Sequence, residues 1–263
     1  LSTTTAYLQL GTGSPSASIN GSVTNISVKE VINADFTFDR NSTATRVNKE
    51  GLIETVAIDT PRLDYPLIDG VVQDCPSLLL EPARTNLETK SNEFSTWGTI
   101  NNTTRTADYI ISPDGTLNGT RLQFTANGFV ANTPQSLATY TVSCYAKRND
   151  IGTQNVGFFT NGSGVVNSAW EITTEWKRFS YTFPALNGGF LGIAGVSGAD
   201  ISVYGFQLEG LVSYPTSYIP TQGSAVTRAA ETASGAGTSD DFNDSEGVLY
   251  AEISAFTSND AIE

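Results

Sequence analysis

The chain has 263 residues, 16 % of them charged, no histidine and a formal net charge of −13. An acidic surface lacks the Lys/Arg stripe that nucleic-acid phosphates or an anionic membrane would need. Without histidine, Ser-His-Asp and Cys-His nucleophilic sites and His-ligated zinc are excluded together. An enzyme built from this chain would have to use carboxylates, or Tyr, Lys or Arg in a lyase-like site.

Thr, Ser, Asn and Gly recur throughout and no stretch keeps a helical apolar rhythm, so the chain reads as all-β. No apolar run approaches the roughly 18 residues that cross a bilayer, and no signal peptide opens the sequence. Residues 23–31, VTNISVKEV, alternate as a half-buried strand, and residues 190–210 repeat the pattern with Phe206 and Leu208 in the places of Ile26 and Val28. The alternative is two unrelated hairpins. If the repeat is real, residues 1–31 are the closing strands of an N-terminal domain whose beginning is missing.

Residues 42–65 crowd Arg46, Glu50, Glu54, Asp59, Arg62 and Asp64 around Gly51. They read either as acid–base candidates with an arginine clamp or as wall. The structural reading is a hairpin turning at Asn48-Lys49-Glu50-Gly51, with Gly51 at a left-handed position. An extended connector then runs through Pro61 and Pro66. Arg62 and Asp64, two apart, share a face and could pair or tie the segment to a neighbour. We favour wall.

Residues 89–221 form the next unit. Strands are expected at 120–126, 138–147, 155–161, 177–185, 190–195 and 201–209, at the spacing of a sandwich or jelly roll. Alternation puts Val142, Cys144 and Ala146, with Phe179, Tyr181 and Phe183, in the core. Tyr145, Lys147, Trp176 and Arg178 then face outward. Residues 222–246 read as a linker, and EGVLYAEISAF as the first strand of a further domain, so the chain looks like a window of a longer protein. Cys75 and Cys144 lack metal-like spacing and are expected as free, buried thiols, although a disulfide is possible.

TYTVSCYAKR, ITTEWKRFSYTF and ISVYGFQLEG together resemble the β-jelly-roll carbohydrate-binding modules of the CBM4/9 type. More specifically, FDRNSTATRVNKEGLIETVAIDTPRLDY followed by CPSLLLEPARTNLETKSNEFSTWG resembles the segment preceding such modules in tailed-bacteriophage fibre, head-spike and tail proteins. The resemblance implies tandem β-sandwich or jelly-roll modules joined by an extended β-hairpin connector. Its bounds are 1–31, 32–88 (connector), 89–221 (module) and 222–263, the last ending in the entrance of a concanavalin-like or laminin-G-like domain.

Trp97, Trp170, Trp176, Tyr109, Tyr145 and Tyr204 offer faces on which sugars stack, although for each of them a place in the core is the plainer reading. The candidate carbohydrate-binding residues are Tyr145, Lys147 and Arg178, by alternation, and Trp170, because GSGVVNSAW reads as a loop. Modules of this type often carry a structural Ca²⁺. The resemblance assigns that role here to Glu93 and Glu209, with Asn92 or Asp114 nearby; no other cofactor is implied.

The resemblance implies a non-enzymatic virion component, exposed on the particle. It would be a homotrimer, contact other virion proteins and adhere to host-surface polysaccharide through many weak sites. The alternatives are a purely structural connector or capsid decoration, and the accessory region of a secreted polysaccharide-active enzyme.

Overall fold

A computed structural model describes residues 36–65, 67–68, 71–135, 138–150, 155–160, 164–167, 170–183 and 189–236. The strands expected at 1–31 and 247–256 lie outside the described residues.

The flank before the module is a run of short strands: β1 (Thr37–Asp39), β2 (Ala44–Val47), β3 (Ile53–Val56), β4 (Arg62–Asp64), β5 (Leu67–Ile68), β6 (Val71–Val72), β7 (Ser77–Leu79) and β8 (Arg84–Asn86). β2 and β3 form the expected hairpin. Asn48 N donates to Leu52 O over 2.9 Å, and Gly51 closes the turn at φ +78°, a conformation that penalises any Cβ. Arg46 faces Glu54 across the pair, with its Nε 2.7 Å from Oε1.

The module follows a 3₁₀ turn at Phe94–Thr96. Its strands are β9 (Thr99–Ile111), β10 (Leu117–Gln135), β11 (Tyr140–Arg148), β12 (Val156–Thr160), β13 (Gly164–Asn167), β14 (Lys177–Phe183), β15 (Gly189–Gly195) and β16 (Asp200–Gly210). All pairings are antiparallel. β10 belongs to both layers of the sandwich. Its residues 120–123 pair with β16, which leads to β11 and β14, whereas residues 128–135 pair with β15, which leads to β12 and β13. The strand switches layers between those segments, where its ladder with β9 also slips. β9 and β13 were not anticipated. β9 is polar and exposed along most of its length, so it shows no buried alternation to read.

Between the layers, Val142, Cys144, Ala146, Phe179 and Phe183 meet Val130, Val156, Phe158, Leu191 and Ile193. Alternation had identified the β11 and β14 members correctly. Trp97, Phe94 and Phe206 add an edge-to-face aromatic knot, with Trp97 and Phe206 centroids 5.1 Å apart at 90°. On β16 the alternation changes phase. Val203 and Phe206 both point inward because Gly205, at φ +66°, forms a bulge opposite Ser143 and Tyr145. A Cβ at Gly205 would sit 3.3 Å from both Tyr145 and Tyr218.

Residues 226–234, expected in a linker, fold back on the flank instead. β17 (Val226–Arg228) pairs with β8, and β18 (Thr232–Ser234) pairs with β1. Five buried charges hold this return. Arg62 Nε lies 2.6 Å from Glu231 Oε1 and its Nη2 2.8 Å from Glu81 Oε2. Arg228 Nη1 lies 2.9 Å from Glu81, and Arg40 Nη1 2.8 Å from Glu231. Burial alone would raise the Glu81 carboxyl, but the Arg228 and Arg62 charges outweigh it and hold Glu81 below its ordinary value. Asp64 does not form an ion pair with Arg62. It accepts from Val47 N at 2.7 Å, and burial pushes its carboxyl up. The charged stretch is wall, and its arginine is a buried tie rather than a solvated group.

Among the described residues no helix is long and apolar enough to cross a membrane. The cysteines are free, Cys144 buried as expected, but Cys75 exposed, because it lies in the short-stranded flank where little apolar cover exists. Leu211 follows β16 at φ +59°, and its side chain is 82 % exposed. A branched aliphatic residue is strained in this region and here gains almost nothing from packing. Leu211→Gly is therefore expected to stabilise the chain by about 1 kcal/mol, read as a raised urea midpoint with an unchanged slope.

Candidate functional site: the outer face of the β14-β11-β16 layer

Most of this outer face carries a roof. Ile53 of the β2–β3 hairpin packs with Tyr204 and Tyr218, and Tyr145 and Trp176 pack beside them. The hairpin is tied to the β9–β10 turn by Ile53 N donating to Pro113 O at 2.9 Å. From the same turn, Asp114 accepts the Tyr204 hydroxyl at 2.9 Å. Although burial opposes it, hydrogen bonds from Thr116, Asn118 and Ser112 lower the Asp114 carboxyl to about 2. Farther along β16, residues 211–221 cover Gln207 and Glu209. Gln207 Oε1 accepts from Ile219 N at 2.6 Å, and Glu209 accepts from Thr216 N and Oγ1 at 3.0 and 2.6 Å.

At the rim, where the cover is incomplete, stand two cation–aromatic pairs on the β11–β14 ladder. Arg178 lies directly across from Tyr145, its guanidinium carbon 5.5 Å from the ring centroid. Lys147 Nζ stands 5.9 Å from the Trp176 ring. All four side chains are partly exposed. Trp176 is fixed by its Nε1 donating to Ile111 O at 3.1 Å, and Arg178 by its Nη2 donating to Ser143 Oγ at 2.9 Å. The Arg178 Nε–H is buried without a hydrogen-bond partner. Burial pushes the Tyr145 hydroxyl up, against the opposing Arg178 charge, so the phenol stays neutral. Such a rim presents ring faces and N–H donors, which suits a polyhydroxylated ligand.

Alternation therefore placed Tyr145, Lys147 and Arg178 together, and Trp176, outward by the same count, belongs with them. Trp170 does not. Its ring stacks on Phe179 at 4.6 Å and 8° and meets Phe158 edge-on at 4.8 Å, inside the sandwich. The loop-like sequence around it gave no sign that the indole turns inward. Trp97 is likewise core, whereas Tyr109 is exposed with Arg121 4.8 Å above its ring.

Of the residues assigned to Ca²⁺, Glu209, Asn92 and Asp114 have side-chain oxygens engaged within the protein. Asn92, beside Glu93, binds Gly205 N, whereas Glu209 lies four residues farther along β16, about 13 Å at the rise of a strand. Glu209 directs both oxygens at Thr216 and Gln207, and Asn92 and Asp114 are engaged as described. Among the described residues no group of three or more His, Cys, Asp or Glu side chains could hold a metal ion.

No protein-family model and no curated protein matches the chain. Among solved structures it is similar to the C-terminal CBM6 of a marine laminarinase from Zobellia galactanivorans, at 11 % identity and a TM-score of 0.31, over 48 % of this chain and 98 % of that one. It is similar to the CBM22-1 xylan-binding domain of a Paenibacillus barcinonensis protein at 13 % identity and TM-score 0.34, over 49 % and 92 %. It also matches a Clostridium thermocellum xylanase comprising CBM22-1 and GH10 modules, at 16 % identity and TM-score 0.34, over 53 % of this chain but only 30 % of that one. Scores this low place no ligand on the present chain.

Proposed function

We propose that the chain is a non-catalytic, glycan-binding part of a larger surface assembly, with Tyr145, Lys147, Trp176 and Arg178 as its saccharide contacts. The observation that carries this reading is the partly exposed rim, where two aromatic rings and two cations stand together at β11 and the start of β14. Ring faces pack against sugar C–H groups, and the remaining Nη N–H groups of Arg178 supply donors for sugar hydroxyls. So small a site binds weakly, and display in many copies would supply the avidity. The resemblance of residues 38–65 and 75–98 to tailed-phage fibre and head-spike proteins supports a virion surface as the place of display, in homotrimers bound to other virion proteins. The flank's tie to residues 226–234 suits a load-bearing part.

The roof favours a second reading, a structural connector that binds no sugar, because it leaves only the rim free. A glycan array probed with the full chain and with Arg178→Gln separates the two. Binding weakened about tenfold or more by the substitution is the expected result, since hydrogen bonds from a charged donor contribute about 1.5–3 kcal/mol each. An array on which neither protein binds would favour the connector.

A further inference from the structure

A cavity of about 490 Å³ opens at the other end of this layer, within the size range of small-molecule sites. Tyr140, in its wall, pairs with Gly210, whereas Tyr145 pairs with Tyr204, so the cavity lies five residues down β11 from the rim site, about 17 Å. It is built jointly by the module and the returning flank: Arg84, Thr85 and Thr227 come from the β8–β17 pair, Tyr140 and Leu211 from the module.

Arg84 is the informative residue. Its guanidinium lies 5.5 Å from the Tyr214 ring centroid, with Nη2 donating to the Tyr214 hydroxyl at 3.2 Å and Nη1 to Ala83 O at 3.0 Å. Its Nε–H is buried and has no hydrogen-bond partner. Among the described residues no carboxylate forms an ion pair with it, in a chain whose net charge is −13. Glu209 also lines the cavity, but both its oxygens accept hydrogen bonds from Thr216 and Gln207. The Thr85 and Thr227 hydroxyls lie side by side at 2.7 Å, and Leu87 and Val212 supply apolar wall. Leu211 holds its strained backbone at the cavity edge with its side chain in solvent, and strain of this kind concentrates at ligand clamps.

We propose that this end cavity binds an acidic saccharide, a uronic-acid ring whose carboxylate sits on Arg84. The guanidinium's Nη1 and Nη2, each with one N–H left over, match a carboxylate, the paired threonine hydroxyls match ring hydroxyls, and Leu87 and Val212 take the apolar ring face. The site is separate from the rim and does not depend on it.

Titration calorimetry of the full chain with oligomers of galacturonic and glucuronic acid, and with their methyl esters, tests the assignment. The free acids are expected to bind at least tenfold more tightly than the esters, and added salt to weaken them. Arg84→Gln should abolish that preference while Arg178→Gln leaves it intact. Leu211→Asp, at an exposed position that already has a left-handed backbone, should weaken the acids severalfold and spare the esters, which covers a loss of folding in Arg84→Gln. The proposal is overturned if neither acid binds, if acid and ester bind equally, or if Arg178→Gln rather than Arg84→Gln removes the preference. That last result would return acidic glycans to the rim site and leave the rim reading standing.

Discussion

Arg62→Ala is expected to destabilise the fold by about 3–5 kcal/mol, because several buried acceptors, two of them carboxylates, lose the donors that satisfy them. Among the described residues, Arg62 is the one arginine ion-paired with both carboxylates of the cluster, Glu81 and Glu231, and it also donates to Thr45 O at 2.8 Å and Ser217 Oγ at 2.6 Å. It thereby joins the β2–β3 hairpin, the Glu81 segment, the roof and the C-terminal return at one point. Arg40 forms an ion pair with Glu231 and Arg228 with Glu81, so each carboxylate keeps a counter-charge. Urea unfolding followed by tryptophan fluorescence measures the loss. A change under about 1 kcal/mol, the scale of an exposed pair, would show that water reaches the cluster.

Trp170→Ala is expected to cost a similar amount, about 3–5 kcal/mol, by opening a cavity between the layers. The indole fills the space between Phe179 and Phe158 and is 5 % exposed. Its Nε1 finds no partner there, so its contribution is packing alone. The same variant separates core from ligand contact. Unfolding shifts to lower urea, while glycan binding measured well below the midpoint stays unchanged. Binding lost in a protein of unchanged stability would put the ring in a binding site and overturn its place in the core.

Alternation along TYTVSCYAK and KRFSYTF correctly divided Val142, Cys144 and Phe179 from Tyr145, Lys147, Trp176 and Arg178, because period-2 geometry is a property of the strand itself. On β16 the alternation changes phase at Gly205, a bulge that no count of apolar residues announces. Alternation was silent on Trp170, whose irregular surroundings have no period to follow. The candidate rim was thus legible from β11 and β14, whereas the roof above its inner edge was not.

By itself the sequence determined an all-β chain, the Asn48–Gly51 turn and the two faces of β11 and β14, since each depends on residues within a few positions of one another. Only the tertiary structure decided which charges are buried, because Arg62 and Glu231 stand 169 positions apart and look like any two surface residues until the flank closes on residues 226–234. The end cavity is of the same kind. Arg84, Tyr140 and Thr227 acquire a shared wall only when three distant stretches pack, and burial of the Arg84 Nε–H follows from that packing rather than from anything beside it in the chain.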